Sequence, residues 1–288
     1  MKKSTLLRVS AIAVSLAFVT AACGSDSDSS VTEDTVASEV TEDTAAAAVD
    51  GVTCEGVSIA FFGALSGDAG NLGKNIRAGA DLAVSEFNTA NPDCQVDLVD
   101  FDSQGDPAQA PALAQKAIDD AGILGIVGPA FSGESKAANP LFDAAGLAII
   151  TPSATNADLN DNNWKVFHRA LAGDDKQGPA IATYIQKTLA AAKVGVIDDA
   201  SEYGKGLADI VKTTLGDAVV ASDSIDPKAA DFSAAVSKMK EAAPDAIFYG
   251  GYYAEAGKLA KQLRDAGVTA TLVFGDGVKD NGFIEAAG

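Results

Sequence analysis

Three polar residues that follow apolar runs could together hold the head group of a small zwitterion. Ser132 stands at the start of a helical pattern, where free backbone N–H groups attract an anion such as a carboxylate. Thr155 adds a hydroxyl, and Asp276 supplies a negative charge suited to an ammonium group. The aromatic rings of Tyr203 and Tyr252 could line such a site with an apolar surface that carries a hydroxyl group. Because burying an unpaired zwitterion is costly, these matched charges predict a site for a free amino acid.

Each of these residues also has a purely structural interpretation. Ser132 is expected to cap its helix in either case. Thr155 could cap a loop, and Asp276 between Gly275 and Gly277 could be a turn residue. The two tyrosines could be ordinary half-buried aromatic residues.

Other kinds of chemistry find little support in the sequence. The chain has 288 residues and a net charge of −19, which disfavours nucleic acid and anionic lipid surfaces as partners. Its single histidine, His168, excludes a multi-histidine metal site, and no nucleotide-binding P-loop or nucleophile-elbow motif occurs. Asp100–Gly105 resembles a calcium loop, but Gln104 and Pro111 stand where ligating acids belong. We expect no enzyme activity, no cofactor and no metal.

Apolar runs that alternate with helical patterns must position these residues. The predicted strands are Val57–Phe62, Val96–Phe101, Ile123–Val127, Ala148–Ile150, Val194–Ile197, Val219–Ile225, Ala246–Tyr249 and Thr271–Phe274. The helical patterns are Leu72–Phe87, a helix opened by Asp106-Pro107, Glu134–Ala144, Gln177–Ala192, Gly204–Leu215, Phe232–Ala242 and Glu255–Ala266. Such alternation predicts an α/β fold of two doubly wound parallel-sheet lobes, residues 54–170 and 171–288, around a ligand cleft at the strand carboxyl ends.

The beginning of the chain carries the features of an export signal. Residues 1–22 combine a basic start with a short apolar run, and Cys23 follows two alanines in a lipobox-like TAAC sequence. We expect cleavage before Cys23 and its acylation, so that the membrane is contacted only through a lipid anchor. The alternatives are an ordinary signal peptide and an uncleaved anchor. Residues 23–53 are predicted to form a disordered tether, because the segment after Cys23 is rich in acidic residues and contains no basic or aromatic residue.

Export would place the two remaining cysteines in an oxidising compartment. Cys54 lies three residues before one predicted strand, and Cys94 lies one residue before the next run. If the two strands are neighbours in a parallel sheet, both cysteines sit at the same edge. A Cys54–Cys94 disulfide is therefore predicted.

Several segments together resemble the branched-chain amino-acid (Leu/Ile/Val) substrate-binding proteins of ABC importers, which have the type I periplasmic binding protein fold. The similarity covers the chain from about Val57 onward and is carried by GALSG at 63–67, DPAQA at 106–110, TPSATN at 151–156, QGPAIATYI at 177–185, EYGKGLA at 202–208, YGGYYAEAGKLAKQLRDAG at 249–267 and GDGV at 275–278. The resemblance implies an extracytoplasmic protein, in the periplasm or on the outer face of the cytoplasmic membrane, that hands a free amino acid to a permease and its ATPase subunits.

The resemblance also assigns roles to individual positions. It implies that Ser132 binds the ligand carboxylate, that Ala154 and Thr155 bind both charged groups, and that the remaining positions surround the ligand: Tyr203, Tyr252, Ala130, Phe131 and Leu72. Asp276 stands where the family has a glutamate that pairs with the ammonium group, and Leu72 where leucine-binding members have a tyrosine. Since the family's chain normally continues past this point, the second lobe is expected to be incomplete. A sensing domain of a receptor system and a non-functional fragment remain as alternatives.

Overall fold

A computed structural model describes residues 54–288. The predicted signal, Cys23 and the whole of the predicted tether therefore lie outside the described residues. No helix in the described part of the chain is long and apolar enough to cross a membrane.

The first lobe is built on a five-stranded parallel sheet. Its strands lie in the order β2-β1-β3-β4-β5, with β1 at Ser58–Gly63, β2 at Asp97–Asp102, β3 at Ile123–Val127, β4 at Ala148–Thr151 and β5 at Phe167–Arg169. Three helices accompany them: α1 (Gly70–Ala90), α2 (Ala110–Asp119) and α3 (Ser132–Ala145). A buried core around Phe62, Ile126 and Phe142 joins this sheet to α2 and α3.

The second lobe repeats this plan on a four-stranded parallel sheet in the order β7-β6-β8-β9. The strands are β6 at Val194–Asp198, β7 at Val219–Ser224, β8 at Ala246–Gly250 and β9 at Thr271–Phe274. The helices are α4 (Asp174–Thr183), α5 (Glu202–Leu215), α6 (Ser233–Ala242), α7 (Tyr253–Asp265) and α8 (Asn281–Ala287). Fully buried runs in β6 and β8 explain why these strands appear in the sequence as continuous apolar segments. The predicted α/β class with two parallel sheets is confirmed.

Several predicted helix boundaries were wrong. Asp106-Pro107 precedes α2 without opening it: the Asp106 carboxylate accepts a hydrogen bond from the Ala108 N–H at 2.9 Å, and the helix begins at Ala110. The helix expected over 177–192 is α4, which continues as a π turn at Tyr184–Thr188. Neither β5 nor α8 was predicted as an element of its own.

Apolar residues recur at helical spacing along α1, at Ile76, Ala80, Ala83 and Phe87, but this side of the helix is less buried than the spacing suggests. Phe87 is 44% exposed. The buried residues of α1 are Gly70 and Gly73 in its first turn. A side chain at Gly73 would collide with the backbone carbonyl of Ala64, so this glycine permits the close approach at one end of the helix.

A disulfide joins the amino-terminal ends of the two neighbouring strands β1 and β2. Cys54 and Cys94 have Cα atoms 4.6 Å apart and are separated by 40 residues in the chain. The strands run side by side in register from Ser58 with Asp97. The disulfide therefore closes the loop that contains α1. It lies at the amino-terminal ends of the strands, and the cleft lies at their carboxyl ends.

Replacing both cysteines by serine is expected to lower the free energy of unfolding by about 3–4 kcal/mol, because the unfolded chain regains the conformational entropy that a closed loop of 40 residues removes. Urea unfolding of oxidised protein, reduced protein and the double variant measures this effect. Reduced protein and the variant should unfold at the same lower urea concentration. Equal midpoints for all three would show that the bridge contributes nothing.

Candidate functional site

Five of the predicted ligand residues line one small cavity. It has a volume of about 40 Å³ and is lined by Leu72, Phe131, Ser153, Tyr203, Tyr252, Asp276 and Gly277. Leu72, Phe131 and Ser153 come from the first lobe, and the others from loops and helix ends of the second. The cavity thus lies between the two lobes at the carboxyl ends of their strands, where open α/β sheets bind ligands.

Asp276 is the acidic group of this cavity, and two side chains hold it in place. The Tyr203 hydroxyl donates to Asp276 Oδ1 at 2.7 Å, and Gln177 Nε2 donates to the same oxygen at 2.8 Å. No described residue hydrogen-bonds to Asp276 Oδ2 in the structure. An oriented carboxylate with one oxygen uncommitted suits an ammonium group.

Both neighbours of Asp276 must be glycine because a side chain at either position would collide with Tyr203. A Cβ at Gly275 would lie 2.6 Å from the Tyr203 hydroxyl oxygen, and one at Gly277 would lie 2.8 Å from the Tyr203 ring. The Gly277 N–H donates to the Tyr203 oxygen at 3.1 Å. Burial and the charge of Asp276 raise the pKa of Tyr203 well above its ordinary value, so the phenol keeps its proton and remains a donor to the carboxylate.

Ser132 does not cap α3, contrary to the sequence prediction. It is the first residue of the helix, and Phe131 occupies the cap position. Glu134 reaches back so that its carboxylate accepts from the Phe131 N–H at 3.1 Å. This leaves the Ser132 hydroxyl free to accept from the Asn156 N–H at 3.2 Å. Ser132 therefore ties the β3–α3 loop to the loop that follows β4.

The other predicted residues of the first lobe are buried beside these loops. Ala130 and Ala154 are 0% exposed, and Ser132 and Thr155 are each 1% exposed. None of the four lines either cavity in the cleft. The Thr155 hydroxyl makes no well-formed hydrogen bond within the described chain, but it lies near the Asp174 carboxylate and lowers the pKa of that acid. A buried hydroxyl whose nearest polar neighbour is a carboxylate can be shared with a ligand group.

Asp174 is the main residue that the sequence reasoning missed. Its N–H donates to the Thr155 carbonyl at 2.8 Å, it is 0% exposed, and both of its carboxylate oxygens lack hydrogen-bond partners in the described chain. Burial raises its pKa to about 7; the nearby Thr155 hydroxyl acts against this shift, and the charge of Asp276 acts with it. Asp174 therefore links the Thr155 side of the site to the Asp276 side. The only sequence signal was its position at the start of α4, directly after the crossover.

Arg169 organises the same region from the last strand of the first lobe. Its guanidinium donates to the Thr155 carbonyl at 3.2 Å and to the Asn156 carbonyl at 2.8 Å. The sequence reasoning did not select Arg169, because a lone arginine at a strand end carries no motif.

A second, larger cavity opens on the other side of the Phe131 and Tyr252 rings. Its volume is about 560 Å³, and its polar lining is mainly acidic: Asp68, Asp106, Glu134, Asp199, Glu202, Glu255 and the base Lys228. Burial raises the pKa of Glu134 and Glu255 to about 7 and that of Asp199 to about 6. Despite these acids, no group of three or more potential metal ligands was found among residues 54–288.

Direct contacts join the lobes around the cleft. Lys136 pairs with Glu202 at 2.7 Å, and Asn71 donates to Asp280 at 3.1 Å. The Asn156 side chain donates to the Glu202 carbonyl at 2.5 Å. The structure therefore shows the cleft with its two sides in contact, so that a ligand between them would be largely enclosed.

Comparison with known proteins identifies the class to which this arrangement belongs. A periplasmic binding protein family model matches residues 56–288, and the chain belongs to this family. The Leu/Ile/Val-binding protein BraC3 of Rhizobium johnstonii is 34% identical over 232 residues, which are 79% of this chain and 63% of that protein. The leucine-, isoleucine-, valine-, threonine- and alanine-binding protein of Pseudomonas aeruginosa is 32% identical over 81% of this chain and 63% of its own.

Solved structures give the same result. The branched-chain amino-acid transporter substrate-binding protein LivJ of Streptococcus pneumoniae, in complex with isoleucine, matches with a TM-score of 0.75 and 34% identity over 80% of this chain and 67% of that chain. The leucine-binding protein LivK of Thermotoga maritima matches with a TM-score of 0.74 and 28% identity over 81% and 67%. The family resemblance found in the sequence is confirmed. The chain spans about 63% of the length of the two curated relatives above.

Proposed function

We propose that this protein captures a free amino acid outside the cytoplasm and presents it to an ABC importer, without chemical change. The observation that carries this proposal is the composition of the small cavity, in which the acid Asp276 faces apolar and aromatic walls. The chemistry of this lining suits a ligand with an ammonium group next to an apolar side chain, and the cavity of about 40 Å³ must widen as the lobes move apart to admit an amino acid.

The head group would be bound by opposite charges from the two lobes. The ammonium group pairs with Asp276 Oδ2, and Asp174 adds a second acid close by. The carboxylate would meet the first turn of α3 near Ser132 and Thr155 only after the loops that bury these two residues move apart, because neither residue lines either cavity in the cleft. Ala154 and Ala130 are buried in the same two loops, next to Thr155 and close to Ser132 in the chain. Because each lobe supplies part of the grip, the ligand would favour the state in which the lobes are closed.

Branched-chain amino acids are the first ligands to test, since LivJ was solved with isoleucine and the matched relatives bear Leu/Ile/Val names. Isothermal titration calorimetry of the full chain with leucine, isoleucine, valine, phenylalanine and a small amide tests the ligand class. We expect saturable binding of at least one apolar amino acid and none of the amide. Failure of every amino acid to bind would refute the proposed function.

The permease and its ATPase subunits are the partners that this function requires, and a lipid on Cys23 would hold the protein near them. Mass spectrometry of exported protein tests the anchor, since acylated Cys23 would be the first residue of the mature chain. A Cys23→Ser variant released from the membrane with unchanged ligand binding is the expected result. Retention of that variant on the membrane would contradict the lipid anchor.

A further inference from the structure

The large cavity of the cleft is surrounded by carboxylates from both lobes and, at about 560 Å³, has the volume of a small-molecule site. Three of its acids already have partners of their own: Glu134 in the cap of α3, Asp106 in the turn before α2 and Glu202 in an ion pair across the cleft. The acids of the lining that lack such a task are Asp68, Asp199 and Glu255.

Glu255 occupies the same position in α7 as Glu134 in α3, but it is not used in the same way. Each is the third residue of its helix, after an aromatic residue at the cap position, Tyr252 or Phe131. The Glu134 carboxylate accepts from the Phe131 N–H, whereas Glu255 makes no such bond with the Tyr252 N–H. Glu255 is 5% exposed, and its only hydrogen-bond donor in the described chain is its own N–H. A buried and largely uncommitted carboxylate therefore lines the cavity.

Asp199 and Asp68 place further negative charge beside Glu255. Asp199 is 2% exposed. Its Oδ1 accepts from the Ser201 N–H at 2.9 Å and from the Ser201 hydroxyl at 2.6 Å, but no other described residue donates to Oδ2. Burial, and then the charges of Asp199 and Asp68, raise the pKa of Glu255 to about 7. These two acids therefore lie close enough to Glu255 to repel its charge.

Neither a lysine nor a metal ion is suited to neutralise these acids. Lys228 on the cavity and Lys258 on α7 are both exposed, and the charge of Lys258 lowers the pKa of Glu255 less than the two acids raise it. No group of three potential metal ligands is gathered in residues 54–288, so the carboxylates stand apart from one another. The Phe131 and Tyr252 rings line the same cavity, and aromatic rings attract ammonium groups.

We propose that the acid-lined cavity is a second ligand site, which takes a small organic cation with two separated ammonium groups, such as a diamine. One ammonium group would meet Glu255 and Asp199 beside the Tyr252 ring, and the other would meet Asp68 on the first lobe. This site goes beyond the proposed function, because it does not use Asp276 or the loops that would hold an amino-acid head group. Since both lobes contribute to it, a bound diamine would favour the state in which the lobes are in contact.

Isothermal titration calorimetry of the full chain with putrescine tests this site. We expect saturable binding that weakens about tenfold or more in Glu255→Gln, because the amide keeps the shape of the side chain but loses a charge-assisted hydrogen bond. Asp68→Asn changes an exposed residue outside the core, so it serves if the Glu255 variant folds poorly, and it should weaken binding in the same direction. Glu241→Gln is the matched control, since it removes the same charge from an exposed position on α6 and should bind putrescine like the wild type.

The outcomes separate this site from the proposed function. The second site is overturned if putrescine does not bind the wild type, or if Glu255→Gln and Asp68→Asn bind it as the wild type does. An equal loss in Glu241→Gln also overturns it, because the attraction would then come from the overall negative charge. Asp276→Ala should keep putrescine binding, and a loss there would place the diamine in the small cavity instead. A wild type that binds putrescine but no amino acid would refute the proposed function and leave this site standing.

Discussion

Replacing Asp276 by alanine is expected to weaken amino-acid binding by about 30-fold or more, which corresponds to about 2 kcal/mol. Asp276 is the one acidic side chain that lines the small cavity, and its Oδ2 is uncommitted in the described structure. Without it, the ligand ammonium group would be enclosed beside aromatic rings with a poor counter-charge. Calorimetry of the wild type and the variant with the amino acid that binds best measures the loss.

Folding should be affected much less than binding. Asp276 is exposed, and its hydrogen bonds run to Tyr203 and Gln177, which water can replace at this position. Asp265→Ala, which removes an exposed acid on α7, controls for the change in net charge and should bind normally. Asp276→Glu keeps the charge and should retain more affinity than the alanine variant. Equal losses of binding and of unfolding temperature in Asp276→Ala would contradict the assigned role.

Eight of the nine strands in the described chain could be located from the sequence, and only the short β5 was missed. The apolar runs in β3 and β9 were located to the residue, since buried parallel strands carry continuous apolar segments. The carboxyl ends of parallel strands meet at one edge, so the apolar pattern alone assigns loops such as 275–277 to the cleft. Leu72, Phe131, Tyr203, Tyr252 and Asp276 do meet there in one cavity.

Contacts that depend on how the loops pack could not be predicted. Nothing in the sequence says that Gln177 of α4 reaches Asp276, 99 residues further along the chain. The cap of α3 was misassigned because serine is a common capping residue, whereas here the Glu134 side chain performs that task and Ser132 binds Asn156. Helix ends are set by such side-chain competition, which short sequence patterns do not resolve.

Asp174 illustrates the largest gap between pattern and structure. In the sequence, it is one acid of a pair at a helix start, where a carboxylate is ordinary and stabilising. In the structure it is fully buried, its carboxylate makes no well-formed hydrogen bond among the described residues, and the Thr155 hydroxyl is the nearby polar group that lowers its pKa. Only the way in which the crossover packs against the β4 loop creates this environment. A buried acid of this kind is a functional candidate because it is costly to maintain.

The buried acids predict that the ligand-free protein loses stability as the pH rises toward neutrality. Burial raises the pKa of Glu134 and Asp174 from 4.5 and 3.8 to about 7. Between these values the folded state holds protons that the unfolded state has lost, so each group lowers the free energy of unfolding by up to about 1.4 kcal/mol per pH unit. Burial also raises the pKa of Glu255 to about 7 and of Asp199 to about 6, so these acids add to the effect, and the free energy of unfolding should fall by roughly 3 kcal/mol or more between about pH 5 and pH 7. Urea unfolding across this range measures it.

Carboxyls with lowered pKa values act in a different pH range. Hydrogen bonds from Ser233 lower the pKa of Asp231 below 3.8, so its contribution is lost only under more acidic conditions. Glu134→Gln and Asp174→Asn should each flatten the dependence of stability on pH between about pH 5 and pH 7. A stability that is constant or rises with pH over that interval would contradict the raised pKa values.

Ligand binding distinguishes Asp174 from Glu134, although burial raises the pKa of both. An ammonium group near Asp276 favours the ionised form of Asp174, so binding at about pH 6.5 should release a proton. Glu134 is committed to Ser103 and to the Phe131 N–H, so its proton should not respond in the same way. Calorimetry in buffers of different ionisation enthalpy counts the released protons. Proton release should vanish in Asp174→Asn and persist in Glu134→Gln, and the reverse pattern would remove Asp174 from the ammonium site.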